Sequence, residues 1–143
     1  MYSKKSPKEI LHQYGLKVTN ARVKVLHVLM QSQVALSHGD IFSRINGNGL
    51  DKVTLYRTLS SFVNAGLAHK VATEDRTWLH ALHMPEERDE GVEDHAHFVC
   101  DTCERIYCLP LVTEAAAAVP IKESGFQVKS HEYRLHGTCP ECH

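Results

Sequence analysis

Five metal-ligand side chains crowd into one short stretch of this chain, HAHFVCDTCERIYC at residues 95–108: His95, His97, Cys100, Cys103 and Cys108. Imidazoles and thiolates are the ligands that zinc and related transition ions prefer. Cys100 and Cys103 form one C-x-x-C knuckle, and Cys139 and Cys142 form a second. A two-residue spacing lets both thiolates of a knuckle bind one ion, and two knuckles complete a tetrahedral four-cysteine zinc shell. The 35 residues between the knuckles exceed the loop of a compact zinc ribbon, so a strand–helix–strand unit has to bring them together.

His95 and His97 stand two residues apart, which on a strand turns both rings to one face. The four-cysteine ion has no room for them. The pair therefore implies a second metal site, with His80 of the preceding hairpin as a nearby donor and His69 or His83 as substitutes. Cys108 is the odd fifth cysteine, and it reads either as a further ligand or as a small buried apolar residue. Two enzymatic or redox chemistries fit less well. A redox dithiol sits alone at a helix start beside a βαβ pattern, and here there are two knuckles with strand-like approaches. A zinc deaminase needs H-x-E and P-C-x-x-C. This chain has His95-Ala96-His97 and a proline, Pro140, inside its second knuckle, and it lacks the glutamate. No enzyme and no small-molecule substrate are expected.

The bulk of the chain sets the context for these ligands. A hydrophobic content of 43% is ordinary for a globular protein. No apolar run approaches the roughly 18 residues of a membrane span, and the start MYSKKSPKEI lacks a signal peptide's apolar core. A cytosolic protein without membrane attachment is expected, and cysteines in that compartment favour metal over structural disulfides. The net charge of −1 conceals an asymmetry. Residues 1–82 carry eleven Lys and Arg against five Asp and Glu, while residues 83–143 carry five against twelve. The first part is suited to a polyanion and the second is not.

The element pattern divides the chain the same way: residues 1–82, an acidic linker over 83–94, and a unit over 95–143. In the first part, Lys8–Tyr14 reads as a short helix stopped by Gly15. Thr19 caps a second helix with Val23, Leu26, Leu29 and Met30 along one face. Ser37 to Asp40 resembles a capping box before Ile41, Phe42 and Ile45. Asp51 caps another helix, whose wheel gathers Leu55, Leu59, Phe62, Val63 and Gly66 on one side and sets Arg57 opposite, with Tyr56 on the shoulder. Leu67–Val71 and Thr77–Leu82 then alternate as a hairpin around the polar turn 73–76. Short helices followed by a hairpin give the order of a winged helix-turn-helix, whose last helix enters the DNA major groove. In the second part, strands are expected at His97–Val99, Arg105–Leu109 and Phe126–Leu135, with a helix at Val112–Val119. The class is α+β, and the second unit is small enough to need a metal staple or a partner.

These motifs together resemble the ferric uptake regulator (Fur) family over nearly the whole chain. The resemblance rests on Gly15-Leu-Lys-Val-Thr19-x-x-Arg22, Thr54-Leu-Tyr-Arg57, Gly66-Leu67, His95-x-His97-x-x-Cys100-x-x-Cys103, Gly125-Phe126, His131 and Gly137-x-Cys139-x-x-Cys142. It implies a homodimer of winged-helix and α/β dimerisation domains that binds A·T-rich inverted repeats when metal-loaded and represses metal-homeostasis genes. By the same resemblance Tyr56 and Arg57 contact DNA, with Lys17 and Arg22 on its backbone, and Cys100, Cys103, Cys139 and Cys142 hold structural zinc. The family's sensory positions fall on Ala35, His80, His95, His97 and Cys108. Ala35 replaces the usual histidine of iron and peroxide sensors, and Cys108 replaces a carboxylate. A third site in some members would use His131, but its partner positions are Asp94, Ala96 and Ala115, or Glu114 with a one-residue shift. The remaining set of His80, His95, His97 and Cys108 has no carboxylate, which favours zinc over ferrous iron or manganese. The expectation is a zinc-uptake type of regulator, with an iron or peroxide sensor as the alternative and a zinc buffer without DNA binding as the remote one.

Overall fold

In the computed structural model, residues 5–45, 49–82, 95–110, 125–127 and 133–143 are described. The chain forms two compact units, Met1–Pro85 and Glu86–His143. The boundary falls within 83–94, a stretch outside the described residues, as are the expected helix at 112–119 and His131.

The first unit begins with α1 (Pro7–Gln13) and α2 (Asn20–Gln31). Each starts where a hydroxyl replaces a missing helical acceptor, Ser6 taking the Glu9 N–H and Thr19 the Arg22 N–H. Strand β1 is only Leu36–Ser37, and α3 (His38–Ile45) follows directly. The expected capping box is present and reciprocal. The Asp40 N–H donates to Ser37 Oγ and the Ser37 N–H donates to Asp40 Oδ2, both at 3.1 Å. Helix α4 (Lys52–Asn64) starts at Asp51, whose carboxylate accepts the Thr54 N–H at 2.6 Å.

Gly66 departs from the helical wheel. It lies beyond the end of α4 at φ 77°, where its N–H donates to the Val63 carbonyl and the Leu67 N–H donates to the Phe62 carbonyl. That six-to-one and five-to-two pair is a Schellman closure, which needs a left-handed residue and so a glycine. The chain then enters β2 (Ala68–Ala72) and β3 (Trp78–Leu82), and the sheet order is β1-β3-β2. The core gathers Ile10, Leu11, Leu26, Ile41, Leu55, Leu59 and Phe62. Phe62 is completely buried, so truncating it to alanine would cost about 3–5 kcal/mol. This core fixes the inner face of α4 and leaves the outer face to solvent. Helices, a last helix, and a three-stranded sheet closed by the hairpin make a winged helix.

The second unit is a three-stranded sheet in the order β5-β4-β6, from β4 (His95–Cys100), β5 (Ile106–Pro110) and β6 (Tyr133–Gly137). Strands β4 and β5 are antiparallel, while β6 runs parallel to β4. Strand β6 overlaps the end of the expected Phe126–Leu135 and runs on to Gly137. Phe126 lies outside any strand, 73% exposed, just after Gly125 at φ 81°. Residues 128–132 lie outside the described residues, so of the expected strand the described part outside any strand is Phe126 and Gln127.

Candidate metal centre and nucleic-acid interface

The parallel pairing of β6 with β4 brings the two cysteine knuckles together. Cys100 ends β4 opposite Gly137, and the Asp101 N–H donates to the Gly137 carbonyl at 2.8 Å. A Cβ on Gly137 would meet two ring carbons of Phe98 at 3.2 and 3.3 Å, so a side chain here requires that ring to give by a few tenths of an ångström. The first knuckle folds back tightly, with the Glu104 N–H on the Cys100 carbonyl at 2.9 Å. In the second, the Cys142 N–H reaches the Cys139 carbonyl at 3.0 Å.

The four sulfurs all lie within 4.8 Å of one another, and the Cys103 and Cys139 sulfurs are 3.8 Å apart. A tetrahedron with metal–sulfur bonds of about 2.3 Å has edges of about 3.8 Å, so the spacing fits one ion. Cys100 and Cys139 are fully buried, whereas Cys103 and Cys142 keep some exposure. No disulfide links the cysteines. Their proton affinities also suit a cation. Backbone hydrogen bonds from Cys103 and Cys139 lower the Cys100 thiol to about 6, which favours its thiolate form. Hydrogen bonds with the Cys139 and then the Cys103 side chains push Cys142 up to about 12. Crowded thiols thus retain protons that a bound cation would displace. The cluster is compatible with a structural metal.

A second pair of side chains able to bind metal faces across the β4–β5 ladder. His97 and Cys108 are directly opposed in register, and their ligand atoms lie within 4.8 Å. His97 is only 7% exposed, and burial pushes the Cys108 thiol up to about 12. The backbone of His95 pairs with Pro110 in the same ladder. His80 belongs to the first unit, on β3. Its ring is 7% exposed and lines a cavity bounded by α3, α4 and the hairpin. Desolvation, then the Lys70 charge, lowers its pKa to about 4, so the ring is neutral. Ala35, at the position of the absent histidine, is buried.

The outer face of α4 carries Val53, Tyr56 and Arg57, all exposed, Tyr56 at 62%. These positions fall at i, i+3 and i+4, one face of the helix, opposite buried Leu55, Leu59 and Phe62. Lys17 is exposed, and its carbonyl accepts the Arg22 Nη1–H at 2.8 Å, which ties Arg22 to the turn carrying Lys17. Sequence reasoning missed His38, Lys52, Lys70 and Trp78, which share the cavity with His80. Only the tertiary packing of α3 against the hairpin brings them together.

A winged helix that presents an aromatic–basic pair on its last helix, followed by a unit built on clustered cysteines, defines a metal-dependent transcription regulator. The chain belongs to the ferric uptake regulator family, whose model matches residues 13–136. It is 30% identical over 137 residues to the ferric uptake regulation protein of Legionella pneumophila, covering 92% of this chain and 95% of that one. The crystal structure of the Vibrio cholerae ferric uptake regulator superposes with a TM-score of 0.67 at 26% identity, over 92% of this chain and 98% of that one. A zinc uptake regulator solved with zinc and DNA gives 0.68 at 22% identity, over 94% and 89%, and bears on the fold alone. Family members are metal-responsive regulators that bind DNA and act as dimers, and they are not enzymes. Among the described residues no helix is long and apolar enough to cross a membrane.

Proposed function

We propose that this chain is a zinc-sensing repressor of metal-homeostasis genes that works in the cytoplasm as a homodimer on an A·T-rich inverted repeat. Cys100, Cys103, Cys139 and Cys142 hold a structural Zn2+. Tyr56 and Arg57 read bases from α4, and Lys17 and Arg22 hold the DNA backbone. The sensed ion is assigned to His97 and Cys108, and His95, two residues before His97 on β4, belongs to the same proposed set. The observation that carries the zinc reading is the direct pairing of His97 with Cys108, an imidazole–thiol donor set that suits zinc better than harder ions. His80 of β3 remains the fourth proposed regulatory ligand of the set expected from the sequence. The L. pneumophila relative favours the alternative of an iron sensor. Metal acts by binding the DNA-competent conformation more tightly, and it can shift that population only by this difference in affinity.

The test is a gel shift with metal-loaded Arg57→Ala and Tyr56→Ala proteins on the operator. Losing a base-edge contact should cost about 1–3 kcal/mol and relax preference at one position. Unchanged affinity and preference in a folded Arg57→Ala dimer would remove α4 from the recognition surface.

A further inference from the structure

Two sulfurs of the four-cysteine cluster, those of Cys100 and Cys139, are fully buried, and they obtain hydrogen-bond donors in different ways. Cys100 Sγ accepts the Cys139 N–H at 3.4 Å, a contact supplied by the backbone. Cys139 relies first on a side chain, the hydroxyl of Tyr107, which hydrogen-bonds to its sulfur. That contact lowers the Cys139 thiol and raises the Tyr107 phenol, so the proton stays on oxygen and the phenol is the donor. The sheet register brings Tyr107 there. It stands on β5 opposite Phe98 of β4, so the two rings project from one face of the sheet. The Phe98 ring lies against Gly137 of β6, and Cys139 follows two residues later.

Arg105 holds the phenol from its other side. Its guanidinium hydrogen-bonds to the Tyr107 oxygen and to Glu141, the latter at 2.5 Å. A guanidinium can only donate, so it takes a lone pair of the phenol oxygen and leaves the single phenol proton for the sulfur. Glu141 lies between Cys139 and Cys142, and Arg105 lies two residues past Cys103, so the pair also ties one knuckle to the other. Residues 100–105 and 139–142 carry Asp101, Glu104 and Glu141 against one cation, Arg105. Four thiolates around a divalent cation leave an excess of negative charge, which a donated O–H and a nearby guanidinium disperse.

We propose that Tyr107 is a positioning residue of the four-cysteine centre, its O–H donated to the Cys139 sulfur and its oxygen held by Arg105, and that this pair sets how tightly the centre keeps its ion. The proposal rests on the reading of the four cysteines as a structural zinc site. Neither residue is a ligand. Both act through one sulfur, by fixing its orientation and drawing off its charge.

The test uses the full-length protein loaded with zinc and, in a parallel preparation, with Co2+, whose sulfur-to-metal charge-transfer absorption reports electron density on the ligands. Tyr107→Phe keeps the ring and loses only the O–H. Its zinc affinity, by chelator competition, should fall about 10–100-fold. Its charge-transfer band should move to lower energy, because the Cys139 sulfur regains electron density. Arg105→Gln changes an exposed side chain, should move the band the same way by a smaller amount, and carries the test if Tyr107→Phe does not fold. A Tyr107→Phe protein that loses affinity with its band in place owes the loss to packing alone, which overturns the proposal. Parental absorption with no band shift in either variant defeats the role of Tyr107 and Arg105 alone. A parent without thiolate–cobalt absorption defeats the four-cysteine reading as well.

Discussion

Replacing Cys139 with serine should unfold the second unit and leave the first intact. At about 0.05–0.15 kcal/mol per residue, a unit running from Glu86 to His143 holds about 3–9 kcal/mol of net stability. Structural zinc contributes roughly 10–16 kcal/mol of apparent binding free energy in small domains. An even share for each of four thiolates is then about 2.5–4 kcal/mol, comparable with the whole margin of the unit. The true loss at Cys139 should exceed an even share, because this sulfur is fully buried and 3.8 Å from the Cys103 sulfur. A serine hydroxyl there neither replaces a thiolate ligand nor spares the neighbouring thiols from reclaiming protons. The assay is hydrogen exchange of the amides in β4, β5 and β6, read alongside the zinc-to-protein ratio. The parent should be protected and hold one ion that resists dialysis, and strong chelation of the parent should reproduce the variant's exchange. The reasoning is refuted if Cys139→Ser keeps both the ion and the protection of β4.

Three further outcomes are expected. Asp51→Ala removes the acceptor for the Thr54 N–H at the start of α4 and should cost about 1 kcal/mol by denaturant melting, with a larger proportional loss of operator affinity than of fold. Because burial pushes the Cys108 thiol up to about 12, regulatory metal binding must expel its proton. Affinity should therefore rise about tenfold per pH unit between pH 7 and 8.5, as measured by competition with a chelator of known affinity, and that slope should vanish in Cys108→Ala. Sedimentation of the zinc-loaded protein at micromolar concentration should give a dimer, since a palindrome needs two copies related by a two-fold axis.

The parts of the structure legible in the sequence were those written in local chemistry. Thr19, the Ser37–Asp40 pair and Asp51 each mark a helix start because a side-chain acceptor three residues before an orphan N–H has no other common use. The two C-x-x-C knuckles were legible for the same reason, and their sulfurs do converge. What could not be read locally depends on pairing between distant segments. Strand β1 is two residues long, too short for alternation to register, yet its partner on β3 is His80. The parallel pairing of β6 with β4 joins residues far apart in sequence, and Phe126, counted in the alternation, lies outside any strand. His80 shows the limit most directly. Alternation says that it shares a face with Trp78, but not that this face turns toward α3 and α4. His38 read only as part of a cap until the fold set it against the same cavity.

The central claim is that a sensed metal ion, separate from the structural one, controls DNA binding. The most direct test is operator affinity, by fluorescence anisotropy, of protein already carrying its four-cysteine ion, titrated with buffered free zinc, ferrous iron and manganese in parallel. Zinc should raise affinity at the lowest free concentration, and Cys108→Ala should weaken this response while leaving the structural ion in place. Activation by iron or manganese at cellular levels, with no response to zinc beyond the structural ion, would contradict it.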